Sequence, residues 1–247
     1  MPTHVGNHVW IIGASSGIGR ATAIELAAQG AILALSARSE DKLNALQAEL
    51  GEQHLVLPLD VTDAQAVVET AATVRDTFPR LDRVIFMAAI YDPTPFTQLE
   101  ISAVQQMITI NLIGAVNLVH AALPVLRQQG AGQLVLCGSV AGYRGLPNSQ
   151  PYSATKAALI NLAESLRAAE RALDIKVINP GFVRTALTDK NDFNMPMIID
   201  AEQAAKIIAK ELLTKRFEIH FPKRFTYLMK LLALLPAWAY FGVVSKS

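Results

Sequence analysis

Val9-Trp-Ile-Ile12-Gly13-Ala-Ser-Ser-Gly17-Ile-Gly19-Arg20 sets an apolar run of strand length directly against three closely spaced glycines, and a helical pattern then continues to Ala28. A strand that turns this sharply into a helix needs turn positions without side chains. Outward from this stretch the same alternation recurs. Apolar runs at residues 31–36, 54–57, 83–87, 133–137, 175–178 and 217–221 read as strands, with longer helical patterns between them. Near-continuous apolar strands separated by helices predict an α/β fold: a doubly wound, parallel, seven-stranded sheet with helices on both faces. Residues 1–247 read as one domain. Within it, residues 182–200 form an irregular segment rich in Asn, Asp, Pro and Met, expected to fold over a substrate, and residues 223–247 form an apolar C-terminal extension.

Composition narrows the function classes. A chain of 247 residues with 51% hydrophobic content can bury a large core, which excludes a disordered chain. With 22 basic against 21 acidic residues, the net charge of +1 provides no field to attract nucleic acid. Cys137 is the only cysteine, so no intrachain disulfide can form; a reducing compartment fits, and Cys137 reads as a small buried hydrophobe. The five histidines are scattered without metal-ligand spacing, and no metal is predicted. Residues 1–8 contain no apolar stretch like the core of a signal peptide, so a cytoplasmic location is expected.

The glycines carry the first chemical inference. A side chain at Gly17 or Gly19 would hold the backbone away from a pyrophosphate or from the strand, while a helix N-terminus offers free N–H groups with partial positive charge. Gly13, Ser15, Ser16, Gly17, Ile18 and Gly19 thus read as a phosphate loop. An isolated match reads equally well as a tight turn; placement after the first strand of an alternating α/β pattern favours a dinucleotide. The spacing G-x-x-x-G-x-G resembles that of the short-chain dehydrogenase/reductase family, whose doubly wound Rossmann fold is the one predicted above. Gly138-Ser139 and Tyr152-Ser-Ala-Thr-Lys156 extend the likeness. Tyr152 and Lys156 stand four apart at the start of a helical stretch and share one face, and a nearby ammonium stabilises a phenolate.

The resemblance implies an oxidoreductase that moves a hydride between NADP(H) and a carbonyl or secondary alcohol. Tyr152 would be its general acid in reduction and general base in oxidation. Ser139 would orient the carbonyl, Lys156 would lower the tyrosine pKa and hold the nicotinamide ribose, and Asn111, in Asn111-Leu-Ile-Gly114, would support a proton-relay water. Taken singly, each of the four has a bland reading as a helix, turn or surface residue; their joint occurrence in the family's order carries the inference. Pro180-Gly181-Phe-Val183-Arg-Thr185 matches a family segment at the nicotinamide carboxamide, and Asp60-Val61 one at the adenine. Asp60 or Thr62 could equally cap the helix starting near Asp63. Ala37 stands where the family's NAD enzymes carry Asp, and Arg38 follows it. A guanidinium can bind a 2′-phosphate bidentately, so NADP(H) is preferred over NAD(H), although Arg38 also reads as a solvated residue opening a helix. Two departures stand out: Ile12 replaces a Thr, and Phe86-Met87-Ala88-Ala89 replaces Asn-Asn-Ala-Gly, which weakens Ala88 as a cofactor contact.

The C-terminal extension is uncharged for 14 residues from Leu231 to Val244, shorter than the roughly 20 needed to span a bilayer, and Pro236 interrupts it. An apolar helix set against a second subunit or over a lipophilic site is favoured, with peripheral membrane contact as the other reading. The family resemblance implies a homodimer or homotetramer through long helices at about residues 101–129 and 151–172. Phe193, Met195, Met197, Phe225, Tyr227 and Trp238 suggest a lipophilic carbonyl or alcohol substrate. The competing function is a catalytically inactive NADP(H)-binding sensor or scaffold, against which the intact Ser139, Tyr152 and Lys156 argue.

Overall fold

Along the first strand, Trp10 and Ile12 point to one face of the sheet and Val9 and Ile11 to the other, and all four are buried. The period of two repeats in the neighbouring strands, so every central strand feeds two cores, one above and one below. The computed structural model describes residues 8–147, 149–189 and 195–244. Its main sheet is seven-stranded and wholly parallel. β1 (His8–Ile12) lies between β2 (Ile32–Ser36) and β4 (Arg83–Phe86). β3 (Leu55–Val56) closes the β2 edge, and β5 (Gln133–Cys137), β6 (Asp174–Pro180) and β9 (Glu218–Phe221) continue beyond β4. Registers such as Trp10 beside Ala34 and Val84 stack the apolar residues of adjacent strands on one face. The Trp10 indole N–H donates to the Ser36 hydroxyl at 2.9 Å, satisfying the one polar atom that this large side chain buries.

Helices cover both faces. α1 (Gly17–Ala28), α2 (Glu40–Leu50) and α7 (Ala201–Leu212) close one side through Leu26, Leu43 and Ile208. α3 (Ala64–Thr77), α5 (Gly114–Gln129) and α6 (Tyr152–Ala169) close the other through Val67, Leu118 and Leu159. Each fully buried Leu or Ile on these faces contributes about 1.5–3 kcal/mol over an exposed one. The two apolar layers therefore hold the sheet from both faces. α4 (Ile101–Ile108) runs into α5 through a π-helical turn at Thr109–Ile113, and α5 ends at Gly130, whose φ of 69° is the left-handed stop that glycine tolerates. The expected long helix over 101–129 is present, with that turn in its middle. The cap of α3 differs from expectation: Asp63 itself accepts the Ala66 N–H at 3.0 Å, while Asp60 is occupied with the Thr62 N–H and hydroxyl.

Residues 182–200 are not wholly irregular. β7 (Val183–Arg184) and β8 (Ile199–Asp200) pair in parallel as a separate two-stranded sheet, and Arg184 bridges Asp200 at 3.0 Å. Two-residue strands lie below the length at which a sequence pattern declares itself. Phe193 falls outside the described residues. After β9 come α8 (Lys223–Leu234) and α9 (Ala237–Val244), separated by Pro236.

His220, buried in β9, shares a hydrogen bond of 2.6 Å with the Thr226 hydroxyl of α8. Burial, with Lys230 and Lys223 adding positive charge nearby, lowers its pKa to about 4. The folded protein thus resists a proton that the unfolded chain accepts near pH 6.5. The associated stability is present above that pH and is lost as pH falls toward 4. Unfolding free energy is expected to drop by about 1–3 kcal/mol across that window. His54, also lowered by burial, shares the slope, so comparison with His220→Asn in urea isolates the His220 part; identical slopes would rule it out.

Candidate functional site

β1 has β2 on one side and β4 on the other, so the chain's crossovers leave it in opposite directions and open a crevice at the C-terminal strand ends. A cleft of about 680 Å³ occupies this place. Its floor is the set of strand ends: Ile12 and Gly13, Met87, Cys137 and Gly138, and Pro180 and Gly181.

The glycine loop is shaped for close approach. Gly13 has φ of 92°, and a Cβ there would stand 2.6 Å from the Ala88 nitrogen; a Cβ on Gly19 would stand 2.1 Å from the Gly13 carbonyl oxygen. A Cβ on Gly17 would meet the Thr185 methyl at 3.2 Å, which places Thr185 directly over the loop. Ser16 precedes α1 without a side-chain cap, leaving the first-turn N–H groups for a ligand. An uncapped helix end behind a side-chain-free loop fits a pyrophosphate. Ser15, Ser16 and Ile18 line the same cleft.

The Phe86-Met87-Ala88-Ala89 segment keeps its position without amide side chains. The Met87 N–H donates to the Ile12 carbonyl at 2.8 Å, extending the β1–β4 ladder by one residue. Phe86 is fully buried, Ile12 nearly so, and both belong to the same core. Apolar packing stands in for the missing amides, and Ala88 and Ala89 both line the cleft.

Ser139, Tyr152 and Lys156 line the same cleft as the glycine loop. Ser139 leaves β5 and accepts the Ala141 N–H at 3.1 Å, which fixes its rotamer at the start of a short turn. Tyr152 is the first residue of α6, and Lys156 follows one turn later. Lys156 is 2% exposed; its ammonium donates to the Cys137 carbonyl at 2.8 Å and lies 5.5 Å from the centre of the Tyr152 ring. Tyr91, which the sequence did not single out, packs edge-on against Tyr152 at 5.0 Å.

The electrostatics depart from expectation. Burial, reinforced by Cys137, pushes the Tyr152 phenol well above its ordinary value, the Ser139 hydroxyl opposing, and burial also pushes Lys156 down. Desolvation of the phenolate outweighs the opposing hydrogen bond from Ser139. Asn111 is not among the residues lining the cleft. Fully buried in the π turn, it accepts the Ile90 N–H at 2.8 Å and donates to the Ile90 carbonyl at 2.9 Å and the Thr155 hydroxyl at 3.3 Å. It stands behind the cleft wall and ties the β4 exit to α6, whereas its neighbour Ile110 lines the cleft.

At the far end of the cleft lie Ala37, Arg38, Ser39, Asp60 and Val61. Arg38 is exposed and makes no ion pair among the described residues. Lys42 joins this end; its signal was a second cation four residues past Arg38, in the first turn of α2. Beyond Pro180 and Gly181, Val183 and Thr185 line the opposite rim together with Thr188, whose hydroxyl accepts the Thr185 N–H at 3.0 Å and donates to the Val183 carbonyl at 2.7 Å.

Of the apolar C-terminal side chains expected near a substrate, Phe225 packs against the cleft-lining Gly181 and does not itself line the cleft. Its ring lies 2.8 Å from where a Gly181 Cβ would stand and 5.3 Å from the Phe182 ring. Tyr227 faces outward because α8 turns its Phe225 and Met229 side to the protein, and Trp238 is exposed on α9, whose buried residue is Tyr240. Met197, too, is exposed.

Residues 7–195 match the short chain dehydrogenase family. An uncharacterized oxidoreductase of Mycobacterium tuberculosis is 36% identical over 209 residues, covering 81% of this chain and 83% of that protein. Among solved structures, a short-chain dehydrogenase from Streptomyces avermitilis superposes with a TM-score of 0.85 at 25% identity, covering 99% of this chain and 97% of that one. An alcohol dehydrogenase from the archaeon Thermococcus sibiricus, complexed with 5-hydroxy-NADP, superposes with a TM-score of 0.77 at 28% identity, covering 87% and 95%. The glycine loop, the sheet order and these likenesses agree: the chain belongs to the short-chain dehydrogenase family of oxidoreductases.

Proposed function

We propose that the protein transfers a hydride between NADP(H) and a carbonyl or secondary alcohol, with Tyr152 donating the proton in reduction and accepting it in oxidation. The observation that carries this reading is the convergence of Ser139, Tyr152 and Lys156 on the cleft that also holds the glycine loop. The nicotinamide ring supplies or accepts the hydride when bound. The protein's own residues do the rest. Gly13, Ser15, Ser16, Gly17, Ile18 and Gly19 hold the pyrophosphate. Asp60 and Val61 take the adenine, Arg38 with Lys42 the 2′-phosphate, and Lys156 the nicotinamide ribose. Ala88 lies along the ribose side, and Pro180, Gly181, Val183 and Thr185 face the carboxamide. Ser139 orients the substrate oxygen toward Tyr152, whose raised pKa keeps it protonated at neutral pH and ready to donate. Asn111 acts as a positioning residue through Ile90 and Thr155.

Preference for NADP(H) over NAD(H) is supported by Arg38, by the absence of a carboxylate at Ala37, and by the 5-hydroxy-NADP bound to the Thermococcus relative. An apolar ketone is the substrate class that Phe182 and Phe225 suit. The whole chain is read as one cytoplasmic domain. Exposed Ile101, Ile108, Ile113 and Val116 along the long helix support assembly into a homo-oligomer. Fluorescence titration with NADPH and, separately, NADH tests the cofactor reading. NADPH is expected to bind at least about tenfold more tightly, the effect of one charge-assisted contact. Failure of both to bind would overturn the reading and favour a scaffold without catalysis.

A further inference from the structure

We propose that the outward face of the α8–α9 hairpin docks onto an anionic lipid bilayer surface; this inference does not depend on the hydride-transfer reading. The hairpin is held firmly by its inner side. Phe225 and Met229 are buried against Val140. The Arg144 guanidinium caps the end of α8, donating to the Ala233 carbonyl at 3.1 Å and the Leu235 carbonyl at 2.5 Å, and lies 3.9 Å over the Tyr240 ring. The Tyr240 hydroxyl donates to the Gly145 carbonyl at 2.6 Å, and Lys230 pairs with Glu218. These contacts fix which side faces out.

That outer side is apolar. Leu228 and Leu231 form one stripe of α8, which Leu234 continues at 82% exposure; beyond Pro236, Trp238 at 81% and Phe241 are the exposed apolar side chains of the first turns of α9. Arg224, exposed one turn before Leu228, sits at the head of the same stripe beside Lys223. From Pro222 to Ser247 the sequence contains no Asp or Glu, against Lys223, Arg224, Lys230 and Lys246. A ridge of apolar side chains with an indole in it and cations at one end matches the acyl and phosphate layers of a lipid interface. At 12 and 8 residues the two helices are too short to cross a bilayer, so they would lie in its plane.

A second copy of the chain fits less well. A two-fold contact sets a face against itself, and here Lys223 and Arg224 would meet a face whose segment offers no carboxylate. Side chains four-fifths exposed also stand proud of the surface, where a deformable lipid conforms and a rigid partner needs a matching hollow.

The test uses the full chain with vesicles of phosphatidylcholine, with or without about one-third phosphatidylglycerol. The protein has two tryptophans, and Trp10 is wholly buried, so a change in indole emission on vesicle addition reports Trp238. Expected are a blue shift, co-sedimentation, and binding on the order of tenfold tighter to the anionic vesicles, the preference of two cations. Leu234→Glu with Phe241→Glu should abolish binding, and Lys223→Glu with Arg224→Glu should abolish the anionic preference, each with an unchanged melting temperature. No binding, equal binding to both vesicles, or binding retained in the folded Leu234→Glu/Phe241→Glu protein would overturn the proposal. So would conversion of a dimer to a monomer by that variant without any vesicle binding, which would make the face a subunit contact.

Discussion

Replacing Tyr152 by Phe should lower turnover of any active ketone by about 10²–10⁴-fold while NADPH binds as tightly as before, because general acid–base groups contribute on that scale. The substitution removes one hydroxyl and little else. The ring keeps its edge-on packing against Tyr91, and Lys156 keeps its hydrogen bond to the Cys137 carbonyl, so the wall of the cleft survives. Since burial already holds the phenol protonated, the lost group is a proton donor at neutral pH rather than a charge that organises the site. Three measurements separate the outcomes: steady-state rates over a panel of apolar ketones, NADPH titration, and a thermal melt. Equal activity in both proteins would remove Tyr152 from the mechanism. Loss of activity together with NADPH binding and thermal stability would assign it a structural role. Lys156→Ala should behave differently, weakening both binding and folding, because it leaves the Cys137 carbonyl unpaired and a cavity beneath α6.

Much of this architecture was readable from the chain because it rests on short-range patterns. Runs such as Leu134-Val-Leu136 announce a strand buried on both faces, and the glycines after Ile12 announce a turn that admits no side chain. Tyr152 and Lys156 share a helix face by spacing alone. Features that depend on packing between distant segments were not readable in the same way. The raised pKa of Tyr152 follows from burial first, with Cys137 and Tyr91 adding to it and Ser139 opposing, rather than from the Tyr-Lys spacing. Asn111 carried a polar side chain in an apolar helix, but only the fold reveals that the π turn aims it at Ile90. Asp63, not Asp60 or Thr62, caps α3, a distinction of single residues where three candidates crowd together. The C-terminal extension read as apolar throughout. Its division into a held face, with Phe225 and Tyr240, and an outward face, with Leu234 and Trp238, is set by Arg144 from a loop some ninety residues earlier.

Arg38→Ala should weaken NADPH by about 10–30-fold and leave NADH nearly unchanged, the loss expected for one charge-assisted contact at a solvent-exposed rim. Arg38 has no ion-pair partner among the described residues, so its removal costs the fold little and the effect should appear in binding alone. Lys42→Ala at the same end should cost less, since an ammonium offers a point charge where a guanidinium offers two parallel donors. Both effects should shrink as salt rises, because a contact at the rim is screened. Ala37→Asp combined with Arg38→Ala goes further: a carboxylate at the end of β2 repels a 2′-phosphate and accepts a hydrogen bond from a ribose 2′-hydroxyl. That protein should prefer NADH. Paired titrations of the wild type and the three variants measure the ratio directly. A ratio that does not move would mean that the 2′-phosphate is read elsewhere on the cleft, with Ser15, Ser16 and Ser39 the next residues to replace.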